Sequence, residues 1–269
     1  MSVNMREYKS KVKPVELEVN QMDHAAKLFQ GWQETMIWSC MQGVMGNVFA
    51  DSVQDPVSAM AVLGDFCFLA GVHSCEMLQF LQNQKRRNFR IMIPQHQGWA
   101  DLIESFYGER ANKTIRYAIK KEPLVFHQEK LQAMAERLPD GYTMKQIEEA
   151  LFWRCRQVSW CRDWVMQYEN YALWQKYGLG FVILKDDEPV SGASSYSGYK
   201  GGIEIEIDTR EDCRRMGLAA ICGAKLILEC LDRGWYPSWD AQNQWSLGLA
   251  QKLGYHFDHE YTAYEVRDF

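Results

Sequence analysis

The heptapeptide Ile203-Glu204-Ile205-Glu206-Ile207-Asp208-Thr209 alternates isoleucine with a polar residue at every step. This period of two predicts a β-strand with the isoleucines on one face and the carboxylates on the other. After a short polar turn, Arg214-Arg215-Met216-Gly217-Leu218-Ala219 leads into an apolar run, and we predict a helix from Arg214 to Leu231. A strand followed by a glycine-containing loop and a helix N-terminus favours phosphate binding, because outward-pointing N–H groups and the helix dipole attract an anion.

Two adjacent arginines, Arg214 and Arg215, stand where this helix is predicted to start. Positive charges at a helix N-terminus oppose the helix dipole, at a cost of about a few tenths of a kcal/mol, unless an anion is bound. We therefore interpret the pair as part of an anion site rather than as solvated surface.

Glu204 and Glu206 occupy alternate positions of the predicted strand, roughly 6.5–7 Å apart on one face. Each carboxylate disfavours ionisation of the other, and partial burial adds to this effect, so one pKa is expected to rise. Such a carboxylate can act as a general base toward an amine. The alternative is the ordinary acidic face of an exposed edge strand.

The net charge of −5, from 30 Lys and Arg against 35 Asp and Glu, argues against nucleic acid as a partner. Local basic spots occur at Lys9, Lys11 and Lys13 and at Lys85-Arg86-Arg87, and we interpret them as solvated surface. The composition, 47% hydrophobic and 24% charged, is typical of a soluble globular protein.

The eight cysteines form no C-x-x-C pair and the six histidines form no H-x-x-x-H pair, so we expect neither disulfides nor a metal site. The N-terminus lacks the apolar core of a signal peptide. The longest apolar-rich stretch, Val57–Val72, is interrupted by Gly64-Asp65 and is too short to span a membrane. We expect a cytoplasmic protein that makes no membrane contact.

Pro139-Asp140-Gly141 combines a helix breaker with turn-forming residues and marks the predicted domain boundary. An N-terminal α+β domain would cover residues 1–139 and a C-terminal domain residues 140–269. Within the N-terminal domain, the pattern predicts a helix from Asp23 to about Met45 and a β-hairpin with Gly64-Asp65 as its turn.

The C-terminal domain is predicted to contain, in order, two helices, a hairpin, the acidic strand, a helix, a strand, a helix and a closing strand. One early helix covers Cys161–Tyr171, and the hairpin joins Gly180–Lys185 to Val190–Tyr196. The last helix opens within Asp240–Asn243 and ends at Gly254, a residue suited to a C-terminal cap.

From Ile203 to Phe257 the sequence resembles the GCN5-related N-acetyltransferase (GNAT) superfamily, and more closely the branch that contains the zwittermicin A resistance acetyltransferase. Arg214–Ala219 fits the superfamily pattern Gln/Arg-x-x-Gly-x-Gly/Ala after a strand. Asn243-x-x-Ser246 followed by Leu253-Gly254-Tyr255 fits the downstream pattern, and Tyr236–Ala241 looks like a signature of the narrower branch. The hexapeptide alone is a weak signal, and the surrounding elements strengthen it.

The resemblance implies acetyl-CoA as cosubstrate, no metal, and a small-molecule amine as acceptor. It implies that acetyl-CoA is held by Ile207, Asp208, Thr209, Arg214, Arg215, Met216, Gly217, Leu218, Ala219, Asn243 and Ser246. Family position favours Glu206 as general base, with Glu204 as its helper or as an anchor for the substrate ammonium group. A backbone N–H near Asp208 or Thr209 would stabilise the oxyanion.

The chain departs from the superfamily at Ala250, where many relatives carry a Tyr that protonates the departing thiolate. Other candidates for this role are Tyr255, Tyr261, Tyr264 and solvent. The sequence leaves the general acid open.

The predicted fold is therefore α/β (α+β): a GNAT domain, with a central, mostly antiparallel mixed sheet flanked by helices, preceded by an N-terminal α+β half. That half lacks an Arg-x-x-Gly-x-Ala motif. It is either a degenerate copy of the GNAT fold that shapes the acceptor cleft or an unrelated extension.

Three functions stay open at this point. The first is an N-acetyltransferase acting on a primary amine of a small molecule, such as an aminopolyol or aminoglycoside-like antibiotic. The second is a non-catalytic acyl-CoA-binding or regulatory module, and the third is a transferase with another acyl donor. The Glu204–Glu206 pair favours catalysis, because a pure binder needs no carboxylates facing a thioester. The oligomeric state, a homodimer included, is left open.

Overall fold

The computed structural model of the protein describes residues 13–84 and 88–267. Lys9, Lys11 and the run Lys85-Arg86-Arg87, interpreted above as solvated surface, lie outside these residues.

The strands of the described chain are β1 (Val15–Glu16), β2 (Asn47–Ala50), β3 (Ser58–Leu63), β4 (Phe66–Gly71), β5 (Phe89–Pro94), β6 (Ala111–Ile119), β7 (Tyr142–Gln146), β8 (Gly180–Lys185), β9 (Glu188–Tyr199), β10 (Gly202–Thr209), β11 (Tyr236–Ser238), β12 (Asp240–Ala241) and β13 (Phe257–Arg267). The α-helices are α1 (Met22–Ala25), α2 (Thr35–Met41), α3 (Cys75–Asn83), α4 (Gln97–Tyr107), α5 (Gln128–Ala135), α6 (Glu149–Gln157), α7 (Tyr171–Tyr177), α8 (Leu218–Asp232) and α9 (Gln244–Leu253).

The chain forms two compact units, each assembled from separate stretches of sequence. Of the described residues, the first unit contains 13–32, 47–84, 88–114 and 263–267, and the second contains 33–46 and 115–262. This division differs from the predicted single boundary between residues 139 and 140. The physical reason is that residues distant in sequence complete each unit: α2 packs on β9 and β10 of the second unit, whereas the end of β13 pairs with β5 of the first. The roles assigned to the two halves stay predictions.

In the first unit the strands follow the order β1-β2-β3-β4-β5, and all pairs are antiparallel except β4 with β5. Gly64 and Asp65 connect β3 to β4, and Gly64 has a φ of 58°, so the predicted hairpin is confirmed. The core of this unit is closed by α3 and α4, whose apolar faces bury Met77, Trp99 and Ile103.

In the second unit the order is β7-β8-β9-β10-β11, and all pairs are antiparallel except β10 with β11. Ile203 and Ile205 of β10 pack in one core with Leu218 and Ile227 of α8. The predicted separation of β10 into an isoleucine face and a carboxylate face is confirmed, because Glu204 bonds on the opposite side to Thr35 of α2.

The two units repeat one order of elements: four antiparallel strands, a helix, a strand parallel to the fourth, and another helix. In the first unit the helices are α3 and α4, and in the second they are α8 and α9. This repetition confirms the predicted mixed, mostly antiparallel α+β fold. It also favours the interpretation of the N-terminal half as a degenerate copy of the C-terminal fold.

Three predicted helices are wrong in their extent. The helix expected from Asp23 is interrupted at Gly31, whose φ of 83° no continuous α-helix tolerates. The helix expected over Cys161–Tyr171 is only a 3₁₀ turn at Arg162–Trp164. The helix expected from Arg214 begins at Leu218, because the loop before it adopts left-handed conformations.

Every helix within residues 13–84 and 88–267 is too short or too polar to span a lipid bilayer.

Candidate active site

β10 is covered on both edges only along its first half. β11 pairs with Gly202–Glu204, whereas β9 pairs with β10 as far as Thr209. The Arg210 N–H donates to Val190 O at 2.9 Å, so the alternation of an antiparallel ladder directs the N–H and C=O groups of Ile205, Ile207 and Thr209 to the other edge. Within the described residues no strand pairs with that edge beyond Glu204, so it can accept an extended ligand that carries amide groups.

One of the predicted backbone donors is already engaged. The Thr209 N–H donates to Asp208 Oδ1 at 2.7 Å, and the Arg214 Nε donates to Thr209 O at 3.2 Å. The outward backbone groups that lie beyond the pairing with β11 and remain for a ligand are therefore those of Ile207. The side chain of Ile207 packs against the core, so this residue offers its backbone alone.

The loop after β10 presents backbone N–H groups through two left-handed residues. Arg215 has a φ of 64° and Gly217 a φ of 82°, and Gly217 is the N-cap of α8. Gly217 has no side chain to cap the helix, and the first turn of α8 contains no acidic residue. The N–H groups of Leu218 and Ala219 therefore face outward without intrahelical partners, at the positive end of the helix dipole.

A cleft of about 570 Å³ opens at this helix start, between α8 and α9. It is lined by Thr209, Cys213, Arg214, Arg215, Gly217, Leu218, Ala219, Ala220, Gln244, Trp245, Gly248, Leu249 and Lys252. Three cationic side chains and the helix start fit a diphosphate, and Trp245, 90% exposed, offers a flat apolar surface beside them. The residues present therefore fit the anionic half of coenzyme A.

The corresponding helix start in the first unit is built differently. The Ser74 side chain caps α3 by accepting from the Met77 N–H, and Glu76 supplies an acid in the first turn. Both features satisfy the helix N-terminus internally and repel an anion. The first unit therefore lacks the features that fit a diphosphate at the start of α8.

Glu204 is buried and Glu206 is half-buried beside it, so the pair does not form the solvent-exposed acidic face of the alternative interpretation. Glu204 is 5% exposed, and β10 lies between β9 and β11 at this point. Burial raises the pKa of Glu204 to about 7, against the opposing charge of Lys121 and the hydrogen bond from Thr35. Burial also raises the pKa of Glu206 to about 8, and the nearby carboxylates Asp163 and Asp208 add to this shift. A base with such a pKa suits proton transfer near neutral pH.

Glu34 joins this face and was not predicted from the sequence. It precedes α2 as its N-cap, and burial together with the charge of Asp240 raises its pKa to about 7, while Lys121 acts in the opposite direction. Its neighbour Thr35 donates to Glu204, which fixes Glu34 beside the carboxylates of β10. The sequence does contain a signal for this position, because Glu34 is a carboxylate that directly precedes an apolar helical stretch. The predicted helix from Asp23 to Met45 conceals the signal, since it places Glu34 in the middle of a helix.

Asp240 gives the Tyr236–Ala241 motif a structural role, because its carboxylate binds side chains from two other strands. Its Oδ1 accepts from Arg116 at 2.7 Å, and its Oδ2 accepts from the Tyr261 hydroxyl at 2.6 Å. The Trp239 Nε1 donates to Ser246 Oγ at 3.2 Å. The motif therefore joins β6, β13 and α9 around a neutralised carboxylate.

The remaining predicted site residues have structural contacts of their own. Asn243 is the N-cap of α9, and its Oδ1 accepts from the Ser246 N–H at 2.9 Å. Met216 is 47% exposed in the loop before α8. The contacts of these residues with acetyl-CoA stay predictions.

No tyrosine takes the place of Ala250, which is fully buried. The Tyr255 hydroxyl donates to Pro237 O at 2.6 Å, and burial raises its pKa well above the usual range. The Tyr261 hydroxyl is bonded to Asp240, and Tyr264 belongs to the first unit, where it donates to Glu104. Each candidate hydroxyl therefore has an acceptor in the protein.

The raised pKa of Glu206 predicts a stability that depends on pH. In the unfolded chain Glu ionises near 4.5, and in the folded chain Glu206 ionises near 8. Between these values the folded state holds a proton that the unfolded state has released, so this group lowers the free energy of unfolding as the pH rises. We expect Glu206→Gln to be more stable than the wild type at pH 8.5 by roughly 2–4 kcal/mol, with little difference at pH 5.

Urea denaturation of both proteins at these two pH values measures this difference. An equal free energy of unfolding at pH 8.5, or a larger gap at pH 5, would contradict the assignment.

Among the described residues no group of three or more His, Cys, Asp or Glu side chains is arranged to hold a metal ion.

The sequence profile of GNAT acetyltransferases matches residues 26–264, that is, both units. The chain belongs to the GNAT acetyltransferase family and is an acyltransferase. It is 26% identical over 241 residues to an uncharacterized N-acetyltransferase, YdfB, of Bacillus subtilis, an alignment that covers 86% of this chain and 89% of the relative.

Solved structures agree with this family. A GCN5-related N-acetyltransferase-like protein from Streptococcus suis superposes with a TM-score of 0.87 at 47% identity, over 92% of this chain and 99% of that one. A tandem GNAT protein from the clavulanic acid biosynthesis pathway superposes with a TM-score of 0.55 at 11% identity, over 94% and 98% of the two chains. At that identity the second likeness concerns the fold alone.

Proposed function

We propose that this enzyme transfers the acetyl group of acetyl-CoA to a primary amine of a small molecule, with Glu206 as general base. One observation carries the proposal: a single strand, β10, holds the carboxylate with a raised pKa and also leads directly into the cationic cleft at the start of α8. Glu206 and Thr209, a residue that lines the cleft, are therefore on the same strand.

The donor would be bound by two adjoining features. Arg214, Arg215 and Lys252, with the outward N–H groups of Leu218 and Ala219, suit the diphosphate. The unpaired edge of β10 suits the amide-containing pantetheine arm, as a strand-like ligand. When bound, acetyl-CoA supplies an activated thioester carbonyl.

The acceptor amine must lose a proton, because an aliphatic ammonium group has a pKa near 10. Glu206 takes this proton first, and the neutral amine nitrogen, which now has a free electron pair, can then form its bond to the carbonyl carbon. The carbon–sulfur bond breaks to release a thiolate, and the nitrogen loses its second proton to solvent. Glu204, buried next to it on the same face, holds the substrate in place. Since the candidate tyrosines are bonded elsewhere, the thiolate takes its proton from solvent.

The proposal is tested by two measurements on the purified protein. Titration calorimetry should detect coenzyme A binding, and thiol release from acetyl-CoA should appear when a panel of primary amines is supplied, aminopolyols and aminoglycosides among them. Absence of binding heat with coenzyme A would overturn the donor assignment.

One observation favours a second function, a non-catalytic acyl-CoA-binding module: position 250 holds a buried alanine where many relatives carry the acidic tyrosine. A non-catalytic acyl-CoA-binding module would bind coenzyme A and release no thiol with any amine. Thiol release from propionyl-CoA or butyryl-CoA, but not from acetyl-CoA, would indicate a transferase for another acyl group rather than an acetyltransferase or a non-catalytic module.

A cytoplasmic location and the oligomeric state stay predictions.

A further inference from the structure

Buried polar atoms without partners concentrate on the carboxylate face of β10. Glu34 Oε2 and Glu204 Oε1 are buried and form no hydrogen bond within the described part of the chain. The same holds for the hydroxyls of Ser194 and Ser197 on β9. Unsatisfied polar atoms are costly and rare in native proteins, so such a cluster indicates a site that a polar ligand completes.

The register of β9 and β10 places the three atoms of Glu204, Ser194 and Ser197 on one face of the sheet. Ser197 is directly opposite Glu204, and Ser194 is directly opposite Glu206, with a bulge between the two pairs. Residues directly opposite each other project from the same face of a sheet. Thr35 bonds the other oxygen of Glu204, so Glu34 is held at the same place.

The charges of this face are unbalanced. Asp240 is neutralised by Arg116, whose Nη2 lies 2.6 Å from Asp240 Oδ1. Glu34, Glu204 and Glu206 are left with Lys121, which forms no ion pair within the described residues and whose Nζ lies 5.9 Å from the centre of the Trp38 ring. Three carboxylates against one ammonium group leave a site that favours a further cation.

The charged and titratable groups that act on these carboxylates come from several elements. They are Arg116 on β6, Lys121 just after β6, Asp163 in the 3₁₀ turn between α6 and α7, Glu204, Glu206 and Asp208 on β10, Asp240 on β12 and His259 on β13.

We propose that the acceptor is a diamine, of which one neutral amine is acetylated beside Glu206 while the second, protonated amine binds the free oxygens of Glu34 and Glu204. This inference rests on the proposed function, since it names the class of acceptor for the same site. An ammonium group supplies three donors, which matches two carboxylate oxygens and one serine hydroxyl.

The strand geometry sets the spacing of the two amines. Residues two apart on a strand are roughly 6.5–7 Å apart, so the nitrogens of the acceptor should be separated by a similar distance. With single bonds of about 1.5 Å in an extended chain, that distance corresponds to about four or five carbon atoms between the nitrogens. 1,4-Diaminobutane and 1,5-diaminopentane are the probes of choice.

The experiment compares each diamine with the monoamine of equal chain length in the thiol-release assay. For the wild type we expect KM for the diamine to be at least about 10-fold lower than for the monoamine. Glu34→Gln should raise KM for the diamine by about 10-fold, leave kcat within about 2-fold, and leave KM for the monoamine unchanged. Glu260→Gln, an exposed glutamate on β13, is the matched control and should behave as the wild type.

A second measurement does not depend on turnover. Calorimetry of diamine binding at pH 7, in buffers with different ionisation enthalpies, should reveal proton release in the wild type, because a bound cation lowers the pKa of Glu34 and Glu204 from about 7. In Glu34→Gln the proton release should diminish.

The outcomes distinguish the two levels of the proposal. Equal KM values for diamine and monoamine in the wild type, or an equal effect of Glu34→Gln on both, would overturn the diamine inference and leave the acetyltransferase assignment intact. Diamine binding without thiol release from any amine would overturn the proposed catalysis and keep the cation site.

Discussion

Glu206→Gln is expected to lower kcat by about 10²–10³-fold, the usual contribution of a general base. The amide has the shape of the carboxylate and cannot accept the amine proton, so the substrate ammonium group stays unreactive. The affinity for acetyl-CoA should be unchanged, because Glu206 is not among the residues lining the cationic cleft. Steady-state kinetics of thiol release, together with calorimetry of coenzyme A, measure the two effects separately.

The pH dependence of kcat/KM gives a second test of Glu206 as general base. In the wild type, log(kcat/KM) should rise with pH and level off near pH 8, where burial has placed the pKa of Glu206, because only the ionised carboxylate accepts a proton. Glu206→Gln should remove this inflection. Glu260→Gln serves again as the control with an exposed carboxyl group. Full activity of both Glu206→Gln and Glu204→Gln would reject carboxylate catalysis on β10.

Gly217→Val is expected to weaken coenzyme A binding by about 100-fold. Gly217 has a φ of 82°, and a Cβ at this position meets no protein atom within 4 Å. The added side chain would project into the cleft that Gly217 lines and keep a phosphate away from the N–H groups of Leu218 and Ala219. Calorimetry of coenzyme A with the variant gives the change in Kd.

A matched variant separates this effect from backbone strain. Gly234 also has a positive φ, 67°, and equally open surroundings, but it follows the C-terminal end of α8 and does not line the cleft. Gly217→Val and Gly234→Val should each lose about 1–2 kcal/mol of stability, since a β-branched residue resists the left-handed conformation. Only the first should lose affinity. Unchanged binding by Gly217→Val would contradict the donor site.

The sequence was sufficient where a signal is local. The alternation over Ile203–Thr209 predicted β10 and its two faces, and Gly64-Asp65 predicted a hairpin, because side-chain period and turn chemistry depend on neighbouring residues. The apolar run after Gly217 predicted α8 but not its start. An arginine gives no indication in the sequence that it adopts a left-handed conformation, as Arg215 does with a φ of 64°. The predicted helix therefore begins four residues too early.

The acceptor side of the site could be predicted only in part. Glu204 and Glu206 were found because they share one strand, whereas Glu34 joins them through a hydrogen bond between Thr35 and Glu204, 169 residues apart. Sequence patterns are read over stretches as long as one helix or strand, and no such stretch contains both partners of this contact. The failed prediction of one helix from Asp23 to Met45 concealed Glu34 as well, since that helix would have placed it in the interior of an element.

By itself, the amino-acid sequence determined the hairpin of β8 and β9, the strand β10, the apolar part of α8, the helix α9 and the family resemblance around Arg214–Ala219, because periodicity and motif spacing are properties of short stretches. Only the tertiary structure decided which segments complete each unit, at which residue the pairing of β11 with β10 ends, and which carboxylates are buried near one another. Burial and unpaired atoms arise from packing between distant segments, and these set the pKa values on which the chemistry depends.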